Sequence, residues 1–173
     1  MTCIPSPNKC INLLKIAGCS NKVINHCIAV RNMAVKIAKK LDANIELVEA
    51  GSLLHDIGRA KTHGIHHAIE GVKIAKRLNL DESIIRIIER HIGAGLLSED
   101  TKKLGLPVKD YLPISLEEKI VCYSDNIING STRQPVEIEI EKALKKGLKD
   151  YAIRLINLHK ELSELCGIDL NKL

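Results

Sequence analysis

Apolar residues along this chain recur mostly at helical spacing rather than at the alternation expected of strands. Val23, Cys27, Val30, Ala34, Ile37 and Leu41 share one face of a first long helix, which Ser20 or Asn21 can cap. A second helix is predicted from Ile45 to Asp56, with Asn44 or Asp42 as N-cap and Gly58 as its exit. A third covers 65–79. Asp81 caps a fourth, in which Ile84, Ile85, Ile87 and Ile88 lead to His91. Ser115 and Glu118 form a capping-box pattern that opens a fifth helix reaching Asn129, and a sixth runs over 136–165 with a weak point at Gly147. The expected fold is all-α, a compact single-domain bundle of about six main helices over residues 1–173. Gly93 to Pro113 breaks the pattern with Gly93, Gly95, Gly105, Pro107 and Pro113, and Ser98-Glu99-Asp100 starts one short helix there. Long ordered connections serve as lids or substrate loops, and a wrap over the core is the alternative.

Composition narrows this picture. A chain of 173 residues can close one hydrophobic core without staples. Apolar residues make up 45% but aromatics only 2%, with no Phe and no Trp, so Ile, Leu, Val and Ala must fill that core. Tyr111, Tyr123 and Tyr151 are a poor platform for stacking the bases of a single strand. The net charge of +5 is spread through interleaved signs, which favours solubility and anionic ligands without making a duplex-binding stripe. Nucleic acid is therefore not indicated. Six cysteines without a C-x-x-C pair argue against a zinc ribbon and a disulfide framework, and fit reduced thiols. No uncharged run approaches the ~20 residues of a membrane span, and Pro5-Ser6-Pro7 interrupts any leader-like segment. A soluble, cytoplasmic protein is expected, with no membrane partner.

Against that aliphatic background a few polar residues fall where the helical phase points inward. His26 lies one turn before Val30, and Asp125 has Val121 a turn before it and Ile128 after it. A buried, unpaired carboxylate costs several kcal/mol, so Asp125 must be protonated, paired with a cation such as Arg31 or Arg133, or bound to metal. His55 and Asp56 diverge by ~100° on a continuing helix and can face one ion only near a helix end, which Gly58 supplies. His91 closes the apolar face of the fourth helix. His67 has Gly71 one turn later, where a missing side chain leaves room over the imidazole for an ion or substrate. Singly, each has an ordinary structural reading; together they point to a site.

In this order, His26, His55-Asp56-Ile57-Gly58, His67 with Gly71, His91 and Asp125 resemble the HD-domain superfamily of metal-dependent phosphohydrolases, in its His-Asp-Ile-Gly subgroup. The resemblance covers roughly residues 25–133 and implies a helical bundle of the HD-domain type. It further implies one metal held by His26, His55, Asp56 and Asp125, and a second held by His67 and His91 with Asp56 as the bridge. Two divalent ions about 3.5–4 Å apart can activate a water and clamp phosphoryl oxygens. Imidazole and carboxylate donors suit Fe, Mn, Co, Ni or Zn better than Mg. Where the family often has Lys, this chain has Arg59, followed by Lys61, and Arg133 resembles a basic residue that contacts substrate phosphate in related hydrolases. Arg59 can grip a phosphate bidentately. His63 and His66 can serve as supporting donors or lie at the surface.

The implied function is hydrolysis of a nucleotide or related small phosphate ester, with Asp56, Arg59, Lys61 and Arg133 as catalytic or phosphate-orienting residues. Two rivals use the same residues: a di-iron oxygenase, and a nucleotide-binding regulatory protein that keeps the metal cage for structure.

Overall fold

A computed structural model describes residues 4–173; Cys3 lies outside the described residues, and the other five cysteines are free thiols. Nine α-helices make up the described chain: α1 (Pro7–Ala17), α2 (Asn21–Ala38), α3 (Ile45–Leu54), α4 (His67–Arg77), α5 (Glu82–Arg90), α6 (Ser98–Lys103), α7 (Leu116–Asn126), α8 (Val136–Lys145) and α9 (Lys149–Cys166). The all-α expectation holds, with one two-stranded hairpin, β1 (Ile128–Asn129) and β2 (Thr132–Arg133), added after α7. Among the described residues no helix is long and apolar enough to cross a membrane.

Helix starts follow the side-chain oxygens. Ser20 Oγ accepts from the Val23 amide, Asn44 from Leu47, Asp81 from Ser83 and Ser115 from Glu118. The reciprocal half of the expected capping box is redirected. Glu118 accepts from the Ile114 amide at 2.7 Å and from Arg90 at 2.8 Å, which satisfies a carboxylate that is 4% exposed.

Three helical expectations change. The N-terminal segment, read as a break, forms α1, because Pro7 occupies the first turn, where its missing N–H costs nothing. The fifth helix stops at Asn126 and not Asn129, since the two-residue Gly130-Ser131 loop turns the chain into a hairpin. The sixth is two helices, α8 and α9, separated where Gly147 takes a left-handed φ of 74°.

Helix α2 lies across the middle of the bundle, against α3 and α7, and α5 packs on α3, α4 and α7. The core between them is aliphatic, including Leu14, Ile37, Leu53, Leu54, Ile84, Ile87, Ile88, Ile120 and Leu155. Each such side chain contributes roughly 1.5–3 kcal/mol on burial. Two glycines let α5 approach closely. A Cβ at Gly51 of α3 would meet Ile87 Cδ1 at 2.5 Å, and one at Gly71 of α4 would meet Ile88 Cγ2 at 2.7 Å. The space beside Gly71 is therefore filled by Ile88, contrary to the expectation that it stays open for a ligand.

Gly58 works differently from the expected helix exit. It sits in a 3-10 turn (Ile57–Ala60) without a positive φ, and its backbone lies against α4. A Cβ there would stand 1.8 Å from the His67 carbonyl oxygen and 2.5 Å from the Gly71 nitrogen, where backbone cannot yield. Gly58→Ala should accordingly destabilise the protein by at least about 3 kcal/mol, lowering Tm by roughly 6–12 °C. Gly105→Ala, whose left-handed glycine has nothing within 4 Å of the new methyl, should cost only about 1–2 kcal/mol. Thermal melts followed by circular dichroism compare the two.

Candidate metal centre

The six residues singled out as metal ligands, His26, His55, Asp56, His67, His91 and Asp125, converge at one place. Three histidines stand at helix ends: His55 directly follows α3, His91 directly follows α5, and His67 begins α4. The last carbonyls of a helix lack intrahelical donors, and the imidazoles use them. His55 Nδ1 donates to Ser52 O at 2.7 Å and His91 Nδ1 to Ile88 O at 2.7 Å. His67 Nδ1 donates to Gly64 O at 2.8 Å, and His26 Nδ1, from within α2, to Gly130 O of the hairpin loop at 2.7 Å. A carbonyl has no proton to give, so all four rings carry Nδ1–H. Each neutral ring then presents an Nε2 lone pair.

All four Nε2 atoms face the carboxylates. Asp56 divides them: Oδ1 lies 3.2 Å from His67 and 3.5 Å from His91, while Oδ2 lies 3.8 Å from His55 and 3.9 Å from His26. Asp125 Oδ1 is 2.9 Å from His26 and 3.4 Å from His55. The Nε2 atoms of His67 and His91 are 2.9 Å apart. Two lone pairs cannot share that distance, so a proton or a metal ion must lie between or beside them. Among the described residues, His55 Nε2 and Asp56 Oδ1 are also buried without a hydrogen-bond partner. Two groups within this set have ligand atoms mutually close enough for one ion: His26, His55 and Asp125, and His55, Asp56 and His91. The donors thus fit divalent metal, through nitrogen and oxygen with the other ring nitrogen anchored.

Electrostatics follow from the same geometry. Burial alone would strip His55 of its proton; Asp56 and Asp125 outweigh it and hold the pKa well above the ordinary 6.5. His91 moves downward, because burial disfavours its charge and His55 and His67 repel it. Burial would raise the pKa of both carboxylates, but His55 and the other imidazoles hold Asp56 and Asp125 well below the usual range.

The predicted basic residues separate. Arg59 reaches the centre, with Nε donating to Asp56 Oδ2 at 2.5 Å and Nη1 to the His63 carbonyl at 3.2 Å. Lys61 is exposed beyond the 3-10 turn. Arg133 is drawn elsewhere, donating to the carbonyls of Leu170 and Asn171 at 2.8 Å, so it fastens the C-terminal turn and does not line the centre. Neither Arg31 nor Arg133 pairs with Asp125; Arg31 pairs with Glu49. Beside the centre lies an open cavity of about 300 Å³, lined by Ser20, Lys22, His26, Asp56, Arg59 and His63 among others. Lys22 was not anticipated, although it precedes His26 by four residues on the same helix face. His66 turns away, its Nε2 3.3 Å from Gly105 O.

The segment after His91 is a packed wrap. The Tyr111 amide donates to Leu96 O at 2.8 Å, the Tyr111 ring is buried, and Ser98 N donates to Asp110 Oδ1 at 2.7 Å.

A family model described as HD domain matches residues 23–130. A tRNA (cytidine(56)-2'-O)-methyltransferase of Picrophilus torridus is 45% identical over 168 residues, covering 97% of this chain and 49% of that protein. The chain thus spans about half of that relative's length. An uncharacterized protein of Methanocaldococcus jannaschii is 44% identical over 164 residues, covering 91% of this chain and 96% of that protein. The crystal structure of the L. monocytogenes phosphodiesterase PgpH HD domain in complex with cyclic-di-AMP superposes with a TM-score of 0.56 over 92% of this chain and 96% of that one. At 19% identity this is a likeness of fold.

Because the folded pKa of His55 is raised, its contribution to the metal-free protein is complete below about 6.5 and lost as pH climbs through the folded value. Asp56 and Asp125, being depressed, contribute above the carboxylate range and lose that contribution on acidification. Metal-free protein should therefore lose Tm on both sides. Saturating Mn or Zn should remove the alkaline loss, because an ion replaces the His55 proton, and should help least at acid pH, where protons compete for the ring nitrogens. Thermal melts across pH with and without metal test both slopes.

Proposed function

The chain belongs to the HD-domain family, and from that premise we propose that it is a metal-dependent phosphohydrolase acting on a nucleotide phosphodiester. One observation carries the reading: four imidazoles, each anchored through Nδ1 to a backbone carbonyl, turn Nε2 toward the carboxylates of Asp56 and Asp125. His26, His55 and Asp125 with Asp56 Oδ2 would hold one ion, and Asp56 Oδ1 with His67 and His91 a second. When bound, such ions supply positive charge at a phosphoryl oxygen and make water nucleophilic at neutral pH.

The chain's own residues do the rest. The anchored rings keep their lone pairs in place, so little reorganisation accompanies reaction. Arg59 and Lys22, in the 300 Å³ cavity beside Asp56, bring positive charge to the oxygens of a phosphate seated there. Ser20 brings the amino end of α2 to the same wall, which adds its dipole to that charge. The aliphatic core behind His55 and His91 excludes water and strengthens each interaction. A diester is favoured because a neighbour of the same fold is a phosphodiesterase solved with cyclic-di-AMP. The relative named for tRNA methylation supports a setting in which ribonucleotides are at hand.

The test is release of product from linear and cyclic dinucleotides and from mononucleotides, by metal-free protein and after adding Mn, Fe, Co, Ni or Zn singly. Hydrolysis is expected only with metal, and Asp56→Asn should lower it at least about 100-fold. Arg59→Ala should chiefly raise KM, by about tenfold, since it binds phosphate oxygens in ground and transition state alike. A metal-loaded protein that cleaves none of these esters would overturn the reading.

A further inference from the structure

The chain has seven histidines, and six of them place a ring nitrogen at hydrogen-bond distance from another protein group. His63 is the exception. Its ring makes no hydrogen bond or ion pair among the described residues, although the residue is exposed and lines the cavity of about 300 Å³ with Asp56, Arg59 and Lys22. The backbone that carries it is nonetheless held to the centre from both sides. The His63 carbonyl accepts from Arg59 Nη1 at 3.2 Å, and the next carbonyl, Gly64 O, accepts from His67 Nδ1 at 2.8 Å. His63 is thus fixed in its main chain between a residue that grips Asp56 and a member of the donor set, while its imidazole stays uncommitted.

The other polar groups in that wall have their protons assigned. Lysine and arginine side chains keep theirs at neutral pH, so Lys22 and Arg59 bring charge but are poor acids. For Asp56, burial would favour a proton, but His55 and the other imidazoles outweigh it and hold the carboxylate ionised. His26 has committed its Nδ1 proton to Gly130 O and turns Nε2 to Asp125. Ser20 Oγ is engaged at the start of α2, where it accepts from the Val23 amide. Imidazole is the side chain that both holds and gives up a proton near neutrality. Among the described residues lining the cavity, His63 alone offers one with both ring nitrogens unclaimed.

We propose that His63 is the general acid of the diester hydrolysis, giving a proton to the sugar oxygen that leaves phosphorus. The inference rests on the phosphohydrolase reading. Water forms the new P–O bond, the bond from phosphorus to the sugar oxygen breaks, and that oxygen keeps the bonding pair. Expelled as a bare alkoxide it leaves slowly; the His63 imidazolium hands it a proton as the bond breaks and ends as neutral imidazole. Solvent, which reaches the exposed residue, returns the proton. In balance, one proton of the water ends on the released hydroxyl, by way of solvent and His63, and the other goes with the new phosphate monoester. An unanchored ring suits this task where the anchored ones do not. It can turn toward the departing oxygen while Arg59 and Lys22 hold the remaining phosphate oxygens.

Dependence on the leaving group tests this role. A dinucleoside monophosphate must expel a sugar alkoxide, whereas bis(p-nitrophenyl) phosphate expels a phenolate that needs no proton. With metal-loaded protein, His63→Gln should lower kcat on the dinucleotide about 100-fold and on the nitrophenyl ester less than about threefold, with KM little changed on either. His66→Gln, three residues on and also exposed, should change neither rate. Both side chains are exposed, so melting curves of the two variants should match the wild type. A second readout is independent of turnover: zinc-loaded protein labelled with carbon-13 in its histidine rings is titrated with inorganic phosphate, and the two variants assign the resonances. Phosphate should shift His63 and leave His66 in place. An equal loss on both esters, an undiminished rate on the dinucleotide, or a His63 resonance indifferent to phosphate would overturn the proposal and leave the phosphohydrolase reading standing. Metal-loaded wild type that hydrolyses neither ester overturns that reading, and the proposal with it.

Discussion

Asp56 holds a carboxylate with 3% of its side chain exposed, inside a core built from isoleucine, leucine and valine. A charge in that position is tolerated only with compensation worth several kcal/mol, and the surrounding structure is arranged to give it. His67 and His91 attend one oxygen; His26, His55 and Arg59 attend the other. Five elements must therefore meet at a single point. Helix α2, the end of α3, the start of α4, the end of α5 and the 3-10 turn are all committed before any ligand is considered.

The helix ends let this be done economically. A terminal carbonyl at Ser52 or Ile88 needs a donor, and an imidazole at the next available position gives one while aiming its far nitrogen inward. The same hydrogen bond thus closes a helix and fixes a tautomer. His26 is the exception. It lies mid-helix and borrows its carbonyl from Gly130, which makes the backbone of the hairpin part of the centre.

Much of this was legible in the sequence. The 3.6-residue rhythm located α2 to α5 and α7, and capping oxygens at Ser20, Asn44, Asp81 and Ser115 marked their starts. The six polar residues stood out only as a set: His26, His91 and Asp125 by helical phase, His55-Asp56 by the helix end expected at Gly58, His67 by its spacing to Gly71, and all six by an order that resembles the HD-domain pattern. What failed to show was whatever depends on contact between distant segments. Arg133 looked like a phosphate ligand by position, but two C-terminal carbonyls claim it. Gly71 looked like vacated space, but an isoleucine from another helix occupies it. Helix α1 was hidden by Pro5-Ser6-Pro7, a run that breaks a helix inside it but begins one at its edge. The Asp100–Arg154 ion pair joins α6 to α9 across 54 residues of chain, and no local pattern announces it.

The interlock of Ile87 with Gly51 and of Ile88 with Gly71 bears on more than stability. Helix α5 carries His91 at its end, while α3 and α4 carry His55 and His67, so the bulk of two adjacent isoleucines sets how far apart these imidazoles stand. Spacing between donors governs which ion a cage prefers and how a substrate oxygen can span it. A lineage could thus retune its chemistry by exchanging methyl groups in the interior, leaving every histidine and aspartate untouched.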